Sequence, residues 1–315
     1  MLLGAGIMGK EYCRALKKME IGNVTVICMT KETAKKIRTD FGFDTYSGGY
    51  RQQLSKNNKP YDLAIICLPI IHLLEALEHL ISYEQKNILV EKPAALSASL
   101  LKKFINKNQK IKKISVKVAF NRLFYSSYLE LKRRAEKEGG IISCHYTFTE
   151  WVNTINYSSY NPEVLKRWGI CNSIHVISLA HDLIGLPKEW NFYKRNSLSW
   201  HPSGAVFSGS GITNKKILFS YHANWLSSGR WSIEAMTRQS AYRLMPLENL
   251  YQSEKGTNKW TKIETIEEQN KIKSGLPEMI IYMFNQKNSK NQLPDLYQTN
   301  QYLKISEKIF GYCER

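Results

Sequence analysis

Along the first 120 residues, two apolar textures alternate. Short continuous runs, "NVTVICMT", "YDLAIICLP", "KNILVEKP" and "ISVKVAFN", read as buried strands. Between them, apolar positions recur at helical spacing. Tyr12, Ala15, Leu16 and Met19 make one such stripe, and "KETAKKIRTDFG", "IHLLEALEHLIS" and "SASLLKKFINKN" carry the same period. Gly42 closes the second of these helices, and Ser97 is placed to cap the fourth. Strands buried on both faces and alternating with helices predict a doubly wound parallel sheet, whose ligands bind at the C-terminal strand ends.

The texture changes at residue 121. "RLFYSSYLELKRRAEKEGG" predicts a helix ended by two glycines, "IISCHYTFTEW" a strand with partial alternation, and "CNSIHVISLAHDLIGLP" a buried helix stopped by Gly185 and Pro187. Residues 190–265 supply strand-like runs separated by Gly, Asn and Ser turns. They predict an antiparallel sheet with one face open to a ligand or a second subunit. "LYQTNQYLKISEKIFGYCE" is a closing helix. The expected organisation is α/β: a Rossmann domain for NAD(P) over 1–120, then an α+β substrate and oligomerisation domain over 121–315. The closing helix is expected to be able to pack back on the first domain.

The chain opens with a glycine turn. Gly4, Gly6 and Gly9 have the G-x-G-x-x-G spacing of a dinucleotide turn, with Ile7 and Met8 inside it. In such a turn the first glycine makes the tight bend and the second lets a pyrophosphate approach the backbone. The third lets helix and strand pack closely, and the helix N-terminus faces the phosphates. The apolar run before Gly4 is only Met1 to Leu3, short against the roughly 5–6 residues of a central strand. The expectation is a true start upstream of Met1.

An acid about 20 residues on would hold the ribose hydroxyls of NAD. Here "ICMTKE" puts Thr30 and Lys31 at that place, and a hydroxyl followed by a cation suits a 2′-phosphate, so NADP is favoured over NAD. The competing reading is that Thr30 merely caps the next helix. After the fourth predicted strand, "ILVEKPAAL" sets Glu91, Lys92 and Pro93 at a strand end. A lysine there can hold a substrate hydroxyl and stabilise charge developing on oxygen; an ordinary solvent-exposed lysine is the alternative. Pro93 restricts Lys92 and could hold a cis bond.

Composition narrows the partners. The net charge is +18, with 45 Lys plus Arg against 27 Asp plus Glu. Such a field attracts anions, but the basic residues are scattered or paired, without a basic arm or zinc-finger spacing, so a nucleic-acid partner is not expected. Six cysteines, including Cys28 and Cys67 in apolar runs and Cys313 near the end, form no C-x-x-C. They read as small buried hydrophobes of a reducing, cytoplasmic compartment. No apolar run reaches the roughly 18–20 residues of a membrane span. His201, His222, Trp225, Arg230 and Trp231 suit either sugar stacking or ordinary packing, and the histidine spacings make no metal site.

Taken together, "LGAGIMG", "YDLAIICLP" with His72 after it, "NILVEKPAAL", "VAFNRLF", "IISCHYTFTEW" and "NSIHVISLAHDLIGLP" resemble the glucose-fructose oxidoreductase / inositol dehydrogenase (Gfo/Idh/MocA) family nearly end to end. The resemblance implies an NAD- or NADP-dependent oxidoreductase acting on a sugar or nucleotide sugar, for example in surface-polysaccharide synthesis. It further implies an anionic small-molecule substrate and a homo-oligomer assembled through the open sheet. By that likeness Lys92 and His175 are catalytic. Leu68, Pro69 and Glu91 join the cofactor residues, and Asn121, Arg122 and Asn172 bind substrate with Lys92 and His175. The family's third motif places an Asp four residues before the His and another three after it. Here Cys171 and Ser178 stand at those positions. This departure motivates the alternative of a cofactor-binding subunit or regulator with little catalysis.

Overall fold

The computed structural model describes residues 1–56, 60–265, 272–286 and 291–312. The chain forms two compact units, Met1–Phe124 with Glu268–Asn300, and Tyr125–Glu267 with Gln301–Arg315. Residues 268–300 thus group with the first unit, although they lie far beyond the expected boundary at 120. The helix Leu276–Phe284 within them would be read the same way in either unit, and only tertiary packing assigns it.

The first unit begins with β1 (Leu2–Leu3), α1 (Ile7–Lys18), β2 (Thr25–Ile27), α2 (Lys31–Phe41), β3 (Asp44–Tyr46) and α3 (Gly49–Leu54). It continues with β4 (Ala64–Ile66), α4 (Leu73–Ser82), β5 (Asn87–Glu91), α5 (Ala98–Lys107) and β6 (Ser115–Ala119). All six strands are parallel, in the order β3-β2-β1-β4-β5-β6. Short as it is, β1 pairs on both sides: Leu2 faces Val26 and Ile65, and Leu3 faces Ile27 and Ile66. The chain builds outward from β1 to β3, then returns to place β4 on the other side of β1. This reversal opens a crevice between the loops that follow β1 and β4, where ligands of such sheets bind.

The helices follow their sequence signals. Leu100 N donates to Ser97 Oγ at 3.2 Å, so Ser97 caps as expected, and Thr33 N donates to Thr30 Oγ1 at 3.2 Å, so Thr30 takes the capping role that is the competing reading for it. Gly42, left-handed at φ +76°, ends α2 with its N–H on Arg38 O. α4 buries Leu73, Ala76, Leu77, Leu80 and Ile81. Each fully buried Leu or Ile contributes roughly 1.5–3 kcal/mol.

The second unit holds α6 (Ser126–Lys137), β7 (Ser143–Phe148), α7 (Pro162–Leu165) and a π-helical turn (Gly169–Ser173) that runs into α8 (Ile174–Ile184). Its remaining strands are β8 (Pro187–Arg195), β9 (Val206–Thr213), β10 (Leu218–Asn224), β11 (Trp231–Met236), β12 (Ser240–Leu244), β13 (Leu250–Glu254) and β14 (Thr261–Ile263). α9 (Leu276–Phe284) belongs to the first unit, and α10 (Leu296–Phe310) is divided between the units at Asn300.

The eight-stranded sheet runs β14-β13-β12-β11-β7-β10-β9-β8. It is mostly antiparallel, as the sequence predicts, with a parallel pair. β7 lies beside β10 in parallel, Leu218 facing Ser143 and Tyr221 facing Tyr146. Local alternation shows which face a strand buries but not the direction of a neighbour distant in sequence. α6 packs on β12 and β13, and α8 on β7 and β11. Along β7, Cys144, Tyr146 and Phe148 are buried while Ser143, His145 and Thr147 stay half-exposed. Among the described residues, no helix is long and apolar enough to cross a membrane.

Candidate active site

The glycine turn sits at the C-terminal end of β1. Gly4 has φ +99°, and a Cβ there would collide with the carbonyl oxygen of Cys67 at the end of β4. A Cβ on Gly9 would strike the carbonyl oxygen of Gly4. These two glycines let strand, turn and helix close on one another. Gly6 differs: nothing stands within 4 Å of where its Cβ would be. It leaves open space in front of α1, whose first turn has neither a side-chain cap nor an acidic residue. The N–H groups there, on a helix of 12 residues, suit an anion. Ile7 is 86% exposed, and Met29 and Ile71, in the loops after β2 and β4, are also exposed. Three apolar side chains in the loops at this edge of the sheet thus stay exposed.

At the end of β2, Thr30 and Lys31 are exposed. Beside them lies a cleft of about 420 Å³ lined by Met29, Lys31, Ser47, Gly48, Gln52, Gln53 and Lys56. Among the described residues, Lys31 and Lys56 line it and no carboxylate does. Gln53 Nε2 donates to Ser47 O at 2.6 Å, tying α3 to the loop after β3. Sequence reasoning misses this wall of the cleft. The signal for it is the Gly48-Gly49 pair, both left-handed, between a short strand and a short helix.

At the ends of β4 and β5, Cys67, Leu68 and Pro69 lie near Glu91, Lys92 and Pro93, and the Lys92–Pro93 peptide is cis. The hydroxyl of Tyr12, on α1, donates to Glu91 Oε1 at 2.8 Å. Burial pushes the Glu91 carboxyl above its usual range, and the Lys92 ammonium, Tyr12 and Lys273 oppose that rise. Burial and the adjacent Glu91 hold the Cys67 thiol protonated, and burial pushes Cys13 up to about 12. Such thiols behave as small apolar groups. Cys28, Cys144 and Cys171 are buried as well, while Cys313 lies outside the described residues.

After β6, Asn121 is buried and its Nδ2 donates to Ser274 O at 3.0 Å. Arg122 is half-buried, and the amine of Lys273 is drawn below its ordinary value by burial first and by the positive charge of Arg122 second. No sequence motif points to Lys273. The first unit thus gathers Gly4, Gly6, Ile7, Met8, Gly9, Thr30, Lys31, Leu68, Pro69, Glu91, Lys92, Asn121 and Arg122 along the C-terminal edge of one sheet. An open Gly6, an uncapped helix N-terminus, exposed apolar side chains and a cationic cleft together fit a dinucleotide.

In the second unit, Asn172 lies on the π-helical turn and His175 in the first turn of α8, His175 only 7% exposed. Its ring centre is 6.1 Å from that of Trp231. Ser178 is buried and donates to His175 O at 3.2 Å, and Cys171 is buried too. A carboxylate absent from these helix positions arrives from the end of β7. Glu150, buried, accepts Asn172 Nδ2 at 2.8 Å and Ser173 Oγ at 2.6 Å. Of the aromatic set, His201 and Trp225 are core: both are fully buried, with ring centres 4.7 Å apart, and His201 also meets Gly204 O and the Tyr312 hydroxyl. His222 is exposed, and the Arg230 guanidinium lies over Trp151.

Residues 1–120 match the family model GFO_IDH_MocA, described as an oxidoreductase family with an NAD-binding Rossmann fold. No curated protein matches the sequence. Similar solved structures include an oxidoreductase from Agrobacterium radiobacter in complex with NAD+, L-tartaric acid and magnesium, at 14% identity and TM-score 0.79 over 98% of this chain and 94% of that one. A dehydrogenase from Clostridium difficile has 18% identity and TM-score 0.77, covering 99% of each chain. A UDP-N-acetylglucosamine 3-dehydrogenase from Acidithiobacillus ferrooxidans has 11% identity and TM-score 0.74 over 98% of this chain and 95% of that one.

Proposed function

We propose that the chain is an NAD(P)-dependent oxidoreductase of the Gfo/Idh/MocA type, a reading supported by the family model over residues 1–120, and that it oxidises or reduces a hydroxyl or keto carbon of an anionic sugar or nucleotide sugar. The observation that carries this reading is the common location of the glycine turn, Pro69 and the Glu91-Lys92 pair at the ends of β1, β4 and β5, around the reversal in strand order. Bound nicotinamide supplies or takes up the hydride. The backbone N–H groups of Ile7 and Met8 hold the pyrophosphate. The Lys92 ammonium donates a hydrogen bond to the reacting oxygen and stabilises the charge that develops on it. His175 exchanges the substrate proton; Asn172, Asn121 and Arg122 hold the substrate.

The coenzyme in this reading is NADP. Lys31 and Lys56 line the cleft beside Thr30, and among the described residues no acid lines it to meet ribose hydroxyls in the manner of NAD sites. The net charge of +18 and the nucleotide-sugar dehydrogenase among the similar structures support an anionic sugar, such as those of surface-polysaccharide synthesis. The buried thiols of Cys13, Cys28, Cys67 and Cys144 suit the cytoplasm. Exposed Tyr193 and Leu218 on the large sheet suit contact with a second copy.

The test is NADPH absorbance with a panel of uronic acids, nucleotide sugars and their keto forms. Turnover by the wild type that falls about a hundredfold or more in Lys92→Met supports the reading. Equal rates for the two proteins, or no turnover across the panel, contradict it.

A further inference from the structure

Lys273 belongs to no motif, yet the fold fixes it at the glycine turn. Its neighbour Ser274 offers its carbonyl to buried Asn121. Gly275, left-handed at φ +79°, starts α9, and Leu276 N returns to Lys273 O at 3.3 Å. α9 in turn packs on the turn Asn121–Phe124 and on α1, with the rings of Phe124 and Tyr282 5.7 Å apart. The side chain then reaches back, and Nζ lies 3.0 Å from Met8 Sδ, in the first turn of α1.

A thioether is a weak acceptor and satisfies an ammonium poorly. The charges around the amine are mixed. Glu91, Glu11 and Cys67 favour its protonated form, whereas Arg122 repels it. Although the residue is exposed overall, burial of the amine and the Arg122 guanidinium together draw it below its ordinary value. Two cations held near each other, beside an uncapped helix N-terminus and the open space in front of Gly6, form an arrangement that an anion would relieve.

We propose that Lys273 is a coenzyme-binding residue that closes over the glycine turn and neutralises the pyrophosphate, with Met8 as the apolar surface against which its stem rests. This rests on the dinucleotide reading above. The amide of Asn121 holds the backbone that carries the cation.

The test is calorimetric titration of the full chain with NADPH, NADH and ADP-ribose. Lys273→Met is expected to weaken the coenzymes and ADP-ribose alike by about ten- to hundredfold, the range of a charge-assisted contact. Lys273→Arg, which keeps the charge, is expected to bind within about threefold of the wild type. The urea midpoint of both variants should match the wild type. Wild-type affinity for ADP-ribose in Lys273→Met overturns the assignment, as does an effect on NADPH without one on ADP-ribose, or a failure of Lys273→Arg to restore binding. A wild type that binds none of the three ligands overturns the dinucleotide reading itself, and this inference with it.

Discussion

Ser173 donates its hydroxyl hydrogen to Glu150 Oε1 at 2.6 Å, so a residue at the end of β7 braces the π-helical turn that leads into α8. With Asn172 on Oε2, both carboxylate oxygens are engaged at a buried position. Glu150→Gln turns one acceptor into a donor facing a donor. The expected cost is about 1–3 kcal/mol of unfolding free energy, read as a lower urea midpoint with unchanged slope. A midpoint equal to wild type would show that the turn stands without the carboxylate.

That pair also marks where the sequence stops being legible. The third motif seeks its carboxylates along one helix, at Cys171 and Ser178, whereas Glu150 comes from a strand end earlier in the chain. Lys273 is a similar case: no periodicity announces a cation that only the packing of α9 brings to Met8. β3 has three residues and buries only Thr45, too few for an alternation to be seen. What is legible has a local cause. The glycine turn is dictated by close approach at Gly4 and Gly9, the helix starts by the hydroxyls of Thr30 and Ser97, and the central strands by continuous apolar runs.

Tyr12 and Glu91 form a second cross-link, from α1 to the end of β5. Tyr12→Phe leaves the half-buried Glu91 carboxylate with one donor fewer. It should destabilise the protein by about 1–3 kcal/mol and drive the Glu91 carboxyl further up. Urea unfolding measures the first effect, and carboxyl NMR on selectively labelled protein the second. An unmoved midpoint and an unmoved Glu91 titration would contradict the coupling.

The cleft after β2 predicts coenzyme choice. Lys56→Met and Lys31→Met should each weaken NADPH by about five- to tenfold, the scale of one partly exposed phosphate contact, and leave NADH within about twofold. Equal losses for both coenzymes would remove the 2′-phosphate from this cleft.

Two buried histidines predict acid sensitivity. Burial lowers His181 and His201 to about 4, so both are neutral in the fold at pH 7. The unfolded chain, with ordinary histidines near 6.5, binds more protons between pH 6.5 and pH 4. Stability therefore falls as pH drops through that window, by up to about 3 kcal/mol per histidine, and levels off below it as far as these groups are concerned. Thermal unfolding across pH 4–8 checks this. His181→Phe, despite losing its bonds to Tyr146 and Gly185, should show a shallower slope. A slope unchanged in that variant would contradict the assignment.

The most direct measurement of the central claim is a crystal structure grown with NADPH. The account predicts the pyrophosphate on the N–H groups of Ile7 and Met8, with the nicotinamide ring beside the amine of Lys92. Coenzyme bound elsewhere, or a ring directed away from Lys92, would contradict it.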